Sequence, residues 1–250
     1  MPSTNKSERE QRRAHRQALE AARAAKSARR RRLSVLGAAL VAAAAVVAIA
    51  TLVSAGPSRS ATPTAHLTRS TVVDGVPETH GVLGNPKAPV TVTEYVDLQC
   101  PICAEASTTM LPTLVNDYVK TGKVKLQLRT LHFIGPDSVR AARVAAGARQ
   151  QSKLWRFVET FYANQGTENS GYATDGFLKS VATTAGVNAD AALAYAKSDA
   201  AARAIVTADR DAKAVGANAT PTFTITKGNG KPHVLLVGAG DIHAALEKAL

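Results

Sequence analysis

The longest unbroken pattern in this chain is a run without polarity contrast. Residues 33–53 (LSVLGAALVAAAAVVAIATLV) carry no charge over twenty-one positions. A helix of that length, at 1.5 Å per residue, spans the ~30 Å hydrocarbon core of a bilayer. The expectation is a transmembrane anchor over 33–53. A buried soluble helix would show a polar face. A cleaved signal peptide would have a shorter apolar stretch, although Val53-Ser54-Ala55 resembles a cleavage site. Residues 54–71 are rich in Ser, Thr, Pro and Ala with no apolar period, and read as a flexible tether.

Alternation begins after that. Val90, Val92, Tyr95 and Val96 mark a first core strand, about 90–96, behind a short edge segment punctuated by Gly75, Pro77, Gly81, Gly84, Pro86 and Pro89. From Cys100 the period becomes helical, with Ala106, Met110, Leu114 and Tyr118 on one stripe. Pro112 should kink that helix, because its ring displaces the bond to the Thr108 carbonyl, and Gly122 should stop it. Val124, Leu126 and Leu128 then alternate with Lys123, Lys125, Gln127 and Arg129, the signature of a strand.

The next apolar positions predict a block of helices over about 137–216. Asp137 or Ser138 should cap the first, which runs to about Arg149. The second, about 151–164, gathers Trp155, Phe157, Phe161 and Tyr162, at helical spacing a core cluster rather than a peptide groove. Thr174 and Asn188 read as N-caps of two short helices, and Ile205, Ala208, Ala212 and Val215 stripe a longer one ending near Gly216. Thr220-Pro221-Thr222-Phe223 leads into a hairpin turned at Lys227-Gly228-Asn229-Gly230, with His233–Val237 pairing back. Asp241 should cap a last helix, with Ile242, Ala245, Leu246 and Ala249 inward. Strand, helix, strand, helical block, hairpin and helix make an α/β sandwich with an inserted helical block. The divisions are an arm over 1–32, the anchor, the tether, and a folded body over 72–250.

Charge changes the picture in one place. The net +12 suggests nucleic acid until it is divided: residues 1–32 hold eleven Lys and Arg against three Glu, while the remainder holds twenty against sixteen acids. The excess is a local arm ending in Arg29-Arg30-Arg31-Arg32. Beside an apolar span, such a cluster marks the cytoplasmic side. The expectation is no nucleic-acid partner, a cytoplasmic N-terminus, and a body outside the cytoplasm, where disulfides persist.

Cys100 and Cys103 are the only cysteines. Their C-P-I-C stands where a strand passes into a helix. Residues i and i+3 at a helix start lie close enough to bridge, and Pro101 suits the first helical position. Cys100 would cap the helix, where free N–H groups and the dipole favour a thiolate. A zinc site would need about four ligands, and the six histidines offer no H-x₃₋₅-H pair. A purely structural bridge closing so small a loop removes little chain entropy. Dithiol–disulfide redox chemistry is the expectation.

Three segments carry a resemblance. Gly84-Asn85-Pro86-Lys87-Ala88-Pro89-Val90, Glu94-Tyr95-Val96-Asp97-Leu98-Gln99-Cys100-Pro101-Ile102-Cys103 and Ala219-Thr220-Pro221-Thr222-Phe223 resemble the DsbA-like family of thiol–disulfide oxidoreductases, especially its membrane-anchored extracytoplasmic members. The likeness covers about 72–250 and implies a thioredoxin-like fold with the helical block inserted. It implies that Cys100 is the exposed attacking thiolate and Cys103 the buried resolving thiol. Pro221 matches the family's cis-proline facing the dithiol, with the Thr220 backbone pairing to a substrate strand. Glu94 matches an acid buried beneath the pair, a proton relay; its other reading is a strand-end surface charge. Asp97 reads equally well as a turn or cap residue.

The resemblance implies no cofactor beyond the Cys100–Cys103 disulfide. It implies exported protein thiols or disulfides as substrates, and a membrane redox partner that recycles the dithiol. The sequence departs from the family's strong oxidants at Ile102, where they have histidine; without an imidazolium beside the thiolate a milder oxidant is expected. Disulfide introduction is the leading function. Reductase or isomerase work on the same fold, or a tethered binding or chaperone module without redox turnover, are the alternatives.

Overall fold

The computed structural model describes residues 66–236 and 242–250. The arm over 1–32, the run over 33–53, most of the tether and the Asp241 cap lie outside the described residues. No helix among the described residues is long and apolar enough to cross a membrane.

A six-stranded sheet organises the body. Its strands are β1 (Glu78–Thr79), β2 (Val82–Leu83), β3 (Val90–Asp97), β4 (Val124–Leu131), β5 (Thr222–Lys227) and β6 (His233–Leu236), in spatial order β1-β2-β4-β3-β5-β6. β3 runs parallel to β4, with Val90 opposite Val124 and Asp97 opposite Leu131. β5 lies antiparallel on its other side, Tyr95 opposite Thr222. Central β3 is covered on both faces, as expected of a strand flanked by helices. β4 keeps the alternation its sequence showed.

The crossover between β3 and β4 is α1 (Pro101–Thr109), then α2 (Leu111–Leu114) and one π-helical stretch, Val115–Val119. The kink expected from Pro112 is thus a full break. The chain interrupts at Met110 and restarts with Pro112 in the first turn, where its missing N–H costs nothing. Gly122, at φ +75°, ends the element.

Five helices form the insertion: α3 (Pro136–Gln150), α4 (Leu154–Tyr162), α5 (Asp175–Thr184), α6 (Ala189–Ala196) and α7 (Asp199–Ala214). Thr174 and Asn188 cap α5 and α6 as expected, their side chains accepting from the Phe177 and Ala191 N–H groups. The expected cap of α3 is corrected. Gly135 occupies the cap position and Pro136 the first turn, so Asp137 and Ser138 fall inside the helix and bond elsewhere. α4 starts at Leu154, later than its periodicity suggested, because Ser152 adopts φ +54°. Its first two N–H groups are taken by the Glu78 carboxylate from β1, at 2.6 and 3.2 Å.

Trp155, Phe157 and Phe161 are fully enclosed, which makes the aromatic cluster core. α3 and α6 meet through small side chains, and a Cβ on Gly147 would stand 2.6 Å from the Ala192 carbonyl oxygen. The last helix, α8 (Ile242–Ala249), buries Ile242 and Leu246 and is tied by Tyr118, whose hydroxyl donates to Glu247 at 2.9 Å. The folded body also begins earlier than residue 72. Leu67 packs against the core, and Thr68 exchanges two hydrogen bonds with the Asn164 side chain, at 2.9 and 2.8 Å.

Candidate active site

β3 delivers its last residue, Asp97, to a tight turn that ends on Cys100. The Cys100 N–H donates to the Asp97 carbonyl at 3.0 Å and the Gln99 N–H to Asp97 Oδ1 at 2.9 Å. Asp97 is therefore the turn residue of its alternative reading, although fully buried. Cys100 is the cap of α1 in extended backbone, φ −70°, ψ 117°, with Pro101 in the first turn.

That placement aims α1's free donors at one sulfur. The Cys103 N–H lies 3.4 Å from Cys100 Sγ, and the sulfur sits 3.4 Å from the Thr220 carbonyl oxygen. The Cys103 thiol donates to it as well. That bond, a Thr220 side-chain bond and the Cys103 and Ile102 N–H groups together outweigh burial and bring Cys100 down to about 6. Cys100 was expected to be exposed; it is only 6% so, because the loop before β5 folds over it. The exposed group at the mouth is Ile102, at 49%. Thr220-Pro221 is a cis peptide, and Pro221 is buried.

Behind the mouth the environment reverses. Cys103 is completely enclosed, and burial, then the bond to Cys100 and its charge, push its thiol far above the usual range. Glu94 falls in the alternation with Val92 and Val96, which share a core with Cys103, so it points inward. Burial raises its carboxyl to about 8, and the charge of Glu159 adds to the rise. The surface-charge reading of Glu94 is therefore set aside.

Glu159, on α4, was not singled out in the sequence, where it reads as one polar position in an aromatic helix. It is 3% exposed, raised to about 8 by burial, and accepts a hydrogen bond from the Ser107 hydroxyl. Tyr162, one turn on, donates to the Asp97 carbonyl at 3.3 Å.

A polar brace ties this turn to the insertion. Asp97 accepts from Ser138 Oγ at 2.5 Å and from the Ile134 N–H at 3.1 Å. Gln99 donates to Ser138 at 2.9 Å and accepts from the Asn169 N–H at 2.6 Å. Gln165 Nε2 donates to the Leu98 and Cys100 carbonyls, at 2.7 and 3.1 Å. Beside the loop that carries Thr220, a recess of about 420 Å³ opens between Leu131, Phe133, Asp209, Ala217 and Asn218, with Phe133 largely exposed. Among the described residues no group of three or more His, Cys, Asp or Glu is placed to hold a metal ion.

Chemically, the arrangement offers a nucleophilic sulfur that is ionised at neutral pH beside a second sulfur that must stay protonated. A family model described as Thioredoxin matches residues 77–233. Over 101 residues the chain is 36% identical to the probable disulfide bond formation protein D of Bacillus cereus, covering 40% of this chain and 47% of that one. The chain thus spans about half the length of the curated relatives it matches. Among solved structures, BdbD from Bacillus subtilis, in oxidised form, aligns with 72% of this chain and 95% of its own at 23% identity and TM-score 0.61, a likeness of fold. DsbA2 of Pseudomonas aeruginosa aligns at 26% identity and TM-score 0.54, over 69% of this chain and 93% of that one.

Proposed function

We propose, on the premise that this chain belongs to the thioredoxin family whose model spans residues 77–233, that it is an extracytoplasmic thiol–disulfide oxidoreductase. Its work is to introduce disulfides into exported proteins by exchange at Cys100-Pro101-Ile102-Cys103. The observation that carries this is the contrast between the two sulfurs: Cys100 drawn down to about 6 at the cap of α1, Cys103 buried and held protonated.

In the oxidised protein a substrate thiolate attacks Cys100 Sγ. The sulfur–sulfur bond breaks and its electron pair goes to Cys103, which takes up a proton. A second substrate thiolate then attacks the substrate sulfur of the mixed disulfide, and Cys100 leaves as a thiolate. The substrate gains a disulfide and the protein carries the two electrons as its dithiol. A low-pKa Cys100 is the better leaving group in that last step, which favours oxidation of the substrate. Ile102 supplies no charge to the thiolate, so the protein is a milder oxidant than one with histidine there.

The redox disulfide is the only cofactor in this reading. The Thr220 backbone receives an extended substrate segment beside Pro221, and the recess at Phe133 takes one of its apolar side chains. Residues 33–53 anchor the chain as a single pass with the N-terminus in the cytoplasm, and a membrane redox partner reloads the dithiol. The test is refolding of a reduced, disulfide-containing protein with the oxidised wild type and with Cys100→Ser. Disulfides formed only by the wild type support the reading; equal yields with both remove it in favour of a binding module. Recovery of a mature soluble form starting near Gly56 would replace the anchor with a cleaved signal.

A further inference from the structure

Opening the Cys100–Cys103 bond leaves a charge on a sulfur with no solvent exposure, so its proton must come from inside. The groups that face it are few. Glu94 and the Asp97 N–H, which bonds to the sulfur, come from β3, Glu159 and Tyr162 from α4, Cys100 and Ser107 from α1. Tyr162 is committed to the Asp97 carbonyl. Ser107 lies four residues beyond Cys103, on the same face of α1 one turn on, and its hydroxyl donates to Glu159. Both carboxyls are buried, and no Lys or Arg is paired with either among the described residues.

Two enclosed carboxyls without a cation are costly as anions. For packing alone, amides or apolar groups of similar volume would serve at lower cost. What only a carboxyl pair adds is a mobile proton. The electrostatics run in series: the Glu159 charge acts on Glu94, and the Glu94 charge acts on Cys103.

We propose that Glu159, held by Ser107, is the second member of a buried proton store that serves Cys103 through Glu94. As the electron pair arrives on Cys103 Sγ, Glu94 delivers its proton to that sulfur. Glu159 passes its own proton to Glu94, and the negative charge comes to rest on Glu159, where the Ser107 hydroxyl donates to it. Recharging the dithiol runs the same transfers backwards. Glu159 is a positioning residue for the proton, acting through Glu94 and never touching the substrate.

This inference rests on the exchange activity proposed above, and the test separates the two. If oxidised wild type fails to oxidise a dithiol peptide in a single turnover, the activity itself is absent. If it succeeds, rates are followed against pH for Glu159→Gln, Glu94→Gln, the double variant and Ser107→Ala. Glutamine keeps the shape and the acceptor for Ser107 but cannot carry the proton. Glu159→Gln should slow bond opening by about tenfold, a partial loss of general-acid assistance. It should also move the alkaline limb to lower pH, because the charge that raises Glu94 is gone. The double variant should be no slower than Glu94→Gln, since coupled groups do not add.

Infrared difference spectra between reduced and oxidised protein should lose one protonated-carboxyl band in Glu159→Gln. An unmoved limb, unchanged bands or simple additivity would overturn the proposal. Should Glu159→Gln not fold, Ser107→Ala decides: loss of its hydroxyl disfavours the Glu159 charge that raises Glu94 and moves the limb to lower pH, whereas a limb left in place overturns the relay.

Discussion

The two ends of one helical turn in α1 make opposite use of the same element. At the front, Cys100 stands among donors: the Cys103 thiol, the N–H groups of Ile102 and Cys103, and the Thr220 loop. At the rear, Cys103 stands among Glu94, Tyr162 and the wall of apolar residues, with no donor strong enough to offset its burial. The sulfurs are chemically identical, and two residues of sequence, Pro101 and Ile102, separate them. Enclosure alone does not set them apart, since Cys100 is itself nearly covered. What differs is the supply of hydrogen-bond donors: several reach Cys100, whereas Cys103 receives the Asp97 N–H, too little to offset its burial.

The largest test of that contrast removes one sulfur at a time. Cys100→Ser should abolish exchange to the uncatalysed level, while Cys103→Ser should still attack but stall as mixed disulfides, visible as slow-migrating bands without reductant. Equal loss of attack in both variants would erase the distinction between front and rear.

Stability against pH sharpens it next, because front and rear pull in opposite directions. Cys100 titrates near 6 in the fold against about 8.5 unfolded. Between those values the unfolded chain binds more protons, so the reduced protein gains stability as pH rises from about 6 to 8.5, and loses that gain as pH falls through 6. Glu94 and Glu159, near 8 in the fold against about 4.3 unfolded, do the reverse and cost stability as pH rises through that range. The carboxyls act in both redox forms and the thiolate only in the reduced one. Denaturant unfolding of the two forms should therefore show the oxidised protein weakening steadily with pH, and the reduced protein gaining on it above about 6. Parallel curves would mean that Cys100 is not ionised.

A smaller effect is expected from Ile102→His, which adds a cation at the exposed position beside the front sulfur. The Cys100 pKa should fall and the reduction potential rise together, by roughly 30 mV for each 1.4 kcal/mol of thiolate stabilisation. Thiolate absorbance against pH and glutathione equilibration on the same protein measure both. A potential that stays fixed while the pKa falls would detach oxidising power from the thiolate.

The smallest is Thr220→Val, which deletes one hydroxyl and keeps the volume and the backbone carbonyl. It should raise the Cys100 pKa by a few tenths of a unit, the yield of one weak donor among several, with Cys103 unaffected. The alkylation rate of Cys100 against pH would show the shift.

The front was legible in the sequence and most of the rear was not, for a physical reason. A strand ending in C-P-I-C, a helix cap and a proline-led strand are local patterns, and the resemblance to the DsbA-like family that they carried holds in the fold and in the relatives. The caps at Thr174 and Asn188 are equally local. Glu159 meets Ser107 across 52 residues, Gln165 meets Cys100 across 65, and Glu78 caps α4 from 76 residues away. None of these has a periodic signature, since each depends on how the insertion docks. The misplaced cap at Asp137 has the same origin, because a side chain that suits a helix start was claimed by Arg140 and the Gly171 N–H.

The seam where α3 meets α6 has its own bearing on how this domain can drift. With Gly147 set against the Ala192 backbone, and alanines at 142, 145, 146, 189 and 196 buried around it, almost nothing there is left to trim. Most cores tolerate shrinkage at a cost and resist growth; this one has only the second option. A saturation library would find position 147 intolerant of every other residue, alanine included, while larger residues elsewhere in the insertion such as Phe177 accept smaller replacements more readily. Substitutions in this insertion are therefore expected to be tolerated in its loops and on its outer faces, and refused along one thin line of methyl and hydrogen side chains.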